Sequence, residues 1–259
     1  MATEIHSTAI VDKGACLDDG VTIGPFCIIG SGAKIGRGTR LQSNIVIEGR
    51  TEIGENCNIY PFTSIGFPPQ DIKYKGEDTG VAIGSNNTIR EYVTIHRASV
   101  GGRGVTTIGS NNLILAYVHV AHDCKIGNDT VLVNLATLAG HVVVEDYAYV
   151  GGMVAIHQFT RIGTHAMVGG FSGVGQDIPP YTMASGPRAK LFGLNTVGLK
   201  RHGFSDATLA ELKKAYKILF REKRTLKDAI KKVQADLPYS DEIKNLIGFI
   251  EKNKRGICR

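Results

Sequence analysis

The sequence predicts a three-sided parallel β-helix closed at one end by a small helical domain. Three observations carry that reading. There is a six-residue aliphatic period, a slot for small residues two positions before each period mark, and a change to helical periodicity after Pro179-Pro180. An aliphatic residue falls on every sixth position from Ile5 to Ile65. The phase resumes at Ile83, Ile89 and Ile95, slips by one residue, and runs again from Ile108 to Val174. These 26 marks fit neither a 3.6-residue helix nor a two-residue strand alternation. A hexapeptide repeat is the signature of a parallel β-helix.

Each hexad supplies a short strand and a corner. Three hexads make one coil, so residues 18 apart stack, with strands about 4.8 Å apart. The slot two before each mark holds Ala33, Thr39, Thr51, Thr63, Val93, Ala136 and similar residues. One large aliphatic and one small residue per side fill a narrow prism. Cys27, Cys57 and Cys124 occupy the same slot, which makes them core fillers rather than ligands or disulfide partners. A glycine follows many of the marks, as at Gly24, Gly36, Gly54 and Gly127, and suggests corners of unusual φ.

Two breaks interrupt the repeat. Between Ile65 and Ile83 the marks fall on Asp71 and Glu77, within the loop-like FPPQDIKYKGEDTG. Between Ile95 and Ile108 the one-residue slip accompanies Gly101, Gly102 and Gly104. The predicted layout is a β-helix over 1–186, with loops near 66–80 and 96–107, and a connector with a helical domain over 187–259. The connector is expected to run to about Gly203. Ser205, Thr225 with Asp228, and Ser240 read as N-caps of three amphipathic helices.

Charge is uneven. From Arg201 onward there are 15 Lys and Arg against 8 Asp and Glu, while the preceding residues are nearly balanced. A basic terminal region beside a neutral prism suits an acidic partner. No helix-turn-helix, RNA-recognition or zinc-finger pattern accompanies it, so nucleic acid is not expected. No apolar stretch is long enough to span a bilayer, and MATEIHSTAI lacks a signal-peptide core. A cytoplasmic protein without integral membrane association is therefore expected.

The period also acts as a ruler for polar residues. Val120, Leu138 and Ile156 differ by 18 and share one face, and a seven-residue second insertion puts Ile95 on it too. His96, His119, His122, His141 and His157 then fall near one edge of four successive coils. Imidazole suits proton transfer near neutrality, and Asp123 directly follows His122. No Ser or Cys nucleophile stands out there, which favours direct general-base chemistry. The rival use is metal: trimeric β-helices of the gamma carbonic anhydrase class hold zinc with three histidines. The spacing His119-x-x-His122 is not the wider pair associated with that class. No metal and no cofactor are expected.

The chain resembles the acyl-carrier-protein-dependent UDP-N-acetylglucosamine O-acyltransferases of lipid A biosynthesis over nearly its whole length. The resemblance lies in QDIKY (70–74), TIHR (94–97), HVAHDC (119–124), ATLAGHV (136–142), GGMVAIHQF (151–159), GQDIPPY (175–181) and GLKRHGF (198–204). It implies an all-β left-handed parallel β-helix with a helical C-terminal domain, assembled as a homotrimer with sites between chains. It implies transfer of a 3-hydroxyacyl chain from acyl carrier protein to the 3-hydroxyl of UDP-N-acetylglucosamine, or in some relatives to a 3-amino sugar.

The resemblance also implies roles. His122 is the expected base, Asp123 its orienting partner and the Gly140 N–H an oxyanion donor. Gln70, Asp71 and Lys73 on the first loop, with His96, His119, His141, His157, Gln158, Asn195 and Arg201, are expected to bind substrate. Asp71 and Lys73 are expected to do so across a subunit boundary. Gly170 corresponds to the position that limits acyl length, and its missing side chain predicts a long acyl chain. Val197, His202 and Arg188 depart from the family pattern at nucleotide and donor contacts.

Overall fold

The computed structural model describes residues 2–259. Short strands, broken by corners, stack into three faces of eleven, nine and eight strands among the described residues, all parallel save Lys190–Leu194, which ends the first face antiparallel. The chain is a left-handed parallel β-helix. Register follows the sequence period. On the nine-stranded face Ile65, Ile95, Val120, Leu138, Ile156 and Val174 pair in succession.

The aliphatic marks form the core. Ile47, Ile59, Ile65, Ile89, Ile95, Ile114, Val120 and Leu138 are fully buried, and burying each such side chain contributes about 1.5–3 kcal/mol. Cys27, Cys57 and Cys124 are buried free thiols beside them. Buried threonines in the small slot return their hydroxyls to corner carbonyls, as Thr39 does to Gly54 and Thr51 to Glu48. At the open first coil Ile5 and Ile10 remain exposed.

The corners differ from expectation. The left-handed residue lies three positions past the mark and is rarely glycine. Phe62, Tyr92, Asn111, Tyr117, Asp123, His141 and Phe159 all have φ near +60°. The glycines just after the marks answer a different need. A Cβ on Gly24 would lie 1.6 Å from the Gln42 carbonyl oxygen, and one on Gly54 would lie 2.6 Å from the Gly84 carbonyl carbon. Close stacking of corner backbones selects glycine there, not φ.

The connector also departs from expectation. It contains an antiparallel hairpin, Thr182–Ser185 with Lys190–Leu194, and a short helix α1 (Thr196–Arg201). Helices α2 (Asp206–Phe220), α3 (Leu226–Asp236) and α4 (Asp241–Glu251) follow. Ser205 and Thr225 accept from the N–H groups of Thr208 and Asp228, whereas the Ser240 side chain makes no cap bond. A second core of Leu199, Leu212, Leu219, Ile243 and Ile247 binds the helices together. Arg161 fastens them to the prism: it donates to buried Asp177 at 2.8 Å and to the Phe249 carbonyl at 2.6 Å. No helix among the described residues is long and apolar enough to cross a membrane.

Candidate active site

Parallel stacking brings the histidines to one edge of the nine-stranded face. His119 begins the strand His119–Val120, and His122 and Asp123 form the corner after it. One coil on, Gly140 and His141 occupy the same corner, and the His141 N–H donates to the His122 carbonyl at 3.0 Å. His96 ends the strand Thr94–His96 one coil earlier. Its ring meets that of His119 edge-on at 5.1 Å, and the His122 and His141 rings meet likewise at 5.2 Å. Phe159, a coil beyond, stacks on His141 at 4.4 Å.

The left-handed backbone at Asp123 turns its carboxylate back beneath His122. His122 Nδ1 lies 2.9 Å from Asp123 Oδ2. The carboxylate is fully buried and accepts two further bonds, from the Ser99 N–H at 2.9 Å and the Arg103 N–H at 2.8 Å. Oδ2 accepts from the Ser99 N–H and Oδ1 from the Arg103 N–H, so both carboxylate oxygens act as acceptors and Nδ1 faces one of them. The Nδ1 therefore carries the imidazole proton and Nε2 keeps a lone pair. Gly102 lets the second loop close over this pair, because a Cβ there would lie 1.9 Å from Asp123 Oδ1. Gly140 does the same from the other side. A Cβ on it would lie 2.5 Å from His122 Cε1, and its N–H has no backbone acceptor among the described residues.

Burial disfavours the charged form of the neighbouring imidazoles. Burial, then the nearby His119 and His122, push His96 down to about 4. Burial also lowers His119, with His122 second. In His141 burial lowers the value and Asp123 opposes it. His119 Nδ1 shares a 2.7 Å hydrogen bond with Thr94 Oγ1. His157 lies further along the edge, exposed, with Nδ1 donating to the Gln158 carbonyl at 3.1 Å.

The first loop, residues 68–79 between strands Ser64–Phe67 and Gly80–Ile83, reaches the same edge. Asp71 Oδ2 accepts from the Ser99 hydroxyl at 2.6 Å, and this bond, then the Lys73 N–H, holds the carboxyl below the usual range. Asp71 thus ties the first loop to the second within its own chain. Gln70 and Lys73 are exposed on the loop surface.

Three expected residues lie elsewhere. Gly170 is exposed on the edge between the eleven- and nine-stranded faces, beside Phe171. Asn195 sits by another edge, where its amide donates to the His165 carbonyl and accepts from the Gly198 N–H. Arg201 is exposed at the end of α1. One chain does not bring these to His122. A groove of 630 Å³ does continue from the histidine edge along small outward residues, Thr137, Ala155 and Gly173, to Arg188.

The residues missed by sequence reasoning are those that hold the site: Ser99, Gly102, Arg103 and Phe159. The glycine run at 101–104 is the signal that points to three of them. Ligand atoms of His122, Asp123 and His141 lie within 4.8 Å of one another, close enough for a metal ion. The Asp123 oxygens are already taken by three N–H donors, which fits an orienting acid better than a metal ligand.

The chain is similar to known proteins over nearly its whole length. A family model described as Udp N-acetylglucosamine O-acyltransferase, Domain 2, matches residues 177–258. One described as bacterial transferase hexapeptide (six repeats) matches 32–67 and 106–140. The chain is 71% identical over 256 residues to the acyl-(acyl-carrier-protein)–UDP-N-acetylglucosamine O-acyltransferase of Thermodesulfovibrio yellowstonii, covering 99% of each chain. It superposes on LpxA from Acinetobacter baumannii with a TM-score of 0.96 at 44% identity, covering 98% of this chain and 99% of that one. For the UDP-N-acetylglucosamine O-acyltransferase of Moraxella catarrhalis the TM-score is 0.95 at 44% identity, with the same coverage.

Proposed function

The chain belongs to the acyl-carrier-protein–UDP-N-acetylglucosamine O-acyltransferases, and we propose that it acylates the sugar 3-hydroxyl by direct general-base catalysis at His122. The observation that carries this reading is the 2.9 Å bond from His122 Nδ1 to buried Asp123, which leaves Nε2 as the free base.

In the proposed reaction Nε2 takes the proton from the 3-hydroxyl as that oxygen attacks the thioester carbonyl of a (3R)-3-hydroxyacyl carrier protein. The tetrahedral oxyanion receives the Gly140 N–H. Collapse breaks the carbon–sulfur bond, and the departing thiolate takes the proton back from the His122 imidazolium. Asp123 stabilises that imidazolium while it exists. Asp71, Lys73 and Gln70 grip the acceptor from the first loop, and His96, His119 and His141 line its sugar and phosphates. No cofactor enters the reaction.

The expected residues lie on different edges of one prism, and this supports a homotrimer. Packing a second chain against the histidine edge supplies the nucleotide and acyl contacts, with Asn195, Arg201, His157, Gln158 and Gly170 in those roles. The basic terminal helices suit an acidic carrier protein in the cytoplasm.

The test is acyl transfer from 3-hydroxyacyl carrier protein to UDP-N-acetylglucosamine and to its 3-amino analogue. The expected result is a base-labile ester with the first sugar. A preference for the amino sugar would replace the acceptor, and activity with neither would overturn the function.

A further inference from the structure

Ser99 is buried at 2% exposure, and it directs its two donors at carboxylates on two different segments. Its backbone N–H donates to Asp123 Oδ2 at 2.9 Å, and its hydroxyl donates to Asp71 Oδ2 at 2.6 Å. Asp123 holds the base, and Asp71 lies on the loop assigned to the acceptor sugar. The surrounding bonds join the same two segments. The Arg97 N–H donates to the Phe67 carbonyl at 3.1 Å, and its guanidinium reaches the Gly66 carbonyl at 3.1 Å and the Tyr74 hydroxyl at 3.0 Å. The Gly80 N–H donates to the Gly104 carbonyl at 3.0 Å. The middle of segment 68–79 and the residues flanking it on both sides are therefore bonded to segment 97–104.

We propose that Ser99 is a positioning residue that ties segment 68–79 to the loop holding the His122–Asp123 pair, so that the acceptor grip is already formed when the sugar nucleotide binds. This rests on the reading of His122 and Asp71 above. The physical basis is that, among the described residues, Ser99 alone is bonded to both carboxyl groups, and hydrogen bonds to such oxygens are well directed. A pin that only stabilised the loop would change melting temperature and leave the kinetic constants alone. A residue that sets the grip changes KM.

The substitution Ser99→Ala separates the two bonds, since it removes the hydroxyl on Asp71 and keeps the N–H on Asp123. With saturating acyl carrier protein, the KM for UDP-N-acetylglucosamine is expected to rise roughly fivefold. The kcat is expected to stay within about twofold. Ser99→Thr, which keeps a hydroxyl, is expected to recover much of that KM. In an Asp71→Asn background Ser99→Ala is expected to add little, because its partner is already weakened.

Unchanged KM in Ser99→Ala, or full additivity with Asp71→Asn, overturns the proposal. Hydrogen exchange gives a second reading that needs no activity. Asp71→Asn is expected to speed exchange of amides in 97–104 as well as in 68–79, and exchange confined to 68–79 overturns the coupling. Wild-type enzyme inactive on either sugar would instead overturn the functional reading, and the exchange result would still decide the coupling.

Discussion

Gly140 and His122 are in contact across one coil, so closely that a Cβ on the glycine would lie 2.5 Å from the imidazole Cε1. The φ of Gly140 is not in the left-handed region, so its backbone admits alanine. The His122 ring, rather than the backbone conformation, forbids a side chain there. Gly140→Ala is therefore expected to displace His122 and lower kcat about a hundredfold. The melting temperature is expected to stay near wild type. Steady-state kinetics with a parallel melt checks both; a folded variant with normal kcat would contradict the assigned contact.

Asp123 faces N–H donors only, from His122, Ser99 and Arg103. Asp123→Asn turns an amide NH2 toward at least one of them and frees His122 to adopt the wrong tautomer. The expected result is a fall in kcat of about a thousandfold with a lower melting temperature. Retained kcat in a folded variant would remove Asp123 as the orienting acid.

The repeat makes much of this legible in the sequence, and the reason is geometric. A fixed 18-residue coil converts sequence spacing into stacking, so the spacing alone puts His96, His119, His122 and His141 on one edge. Where the period stops, that conversion stops. Ser99 and Arg103 sit in a loop with no period, and their bonds to Asp123 come from tertiary closure. The resemblance implies a ligand contact for Asn195, but its capping of α1 and its bond to the His165 carbonyl are seen only in the structure. The hairpin 182–194 leaves no mark in the period because its strands lie outside the hexads, and their pairing is antiparallel.

Two histidines, buried His165 beside His202 and half-buried His96 in the active-site row, are expected to weaken the fold in acid. Burial, with His202 second, pushes His165 down to about 4 from its ordinary 6.5, and its Nδ1 is buried without a partner. His96 is pushed down to about 4 as well. Both rings bind protons less readily folded than unfolded, so as pH falls the unfolded chain is protonated first. Stability is therefore full above about pH 6.5, declines below it, and stops declining from this source near pH 4. His165 stacks on Tyr147 at 4.6 Å, a site that suits phenylalanine. His165→Phe is expected to flatten melting temperature against pH over that window, as differential scanning calorimetry reads. An unchanged slope would contradict the assignment.

Gly170 lies on an exposed corner, where a Cβ would meet only the Gly152 backbone, nearest at 3.1 Å. A long side chain can extend from it into solvent or into a groove shared with a neighbouring chain. The wild-type enzyme is expected to prefer a long 3-hydroxyacyl donor. Gly170→Met is expected to shift that preference to shorter chains. Competition among carrier proteins bearing chains of different length measures it. A wild-type preference for a ten-carbon donor, or no shift in the variant, would contradict the role.

The proposed chemistry depends above all on His122 Nε2, freed by the Nδ1 bond to Asp123, acting as the base. The most direct measurement is single-turnover transfer of the 3-hydroxyacyl chain to UDP-N-acetylglucosamine by His122→Ala, with folding confirmed by its melt. The predicted result is a rate lowered about a thousandfold or more with nucleotide-sugar binding retained. A folded His122→Ala enzyme that transfers the chain at the wild-type rate would contradict it.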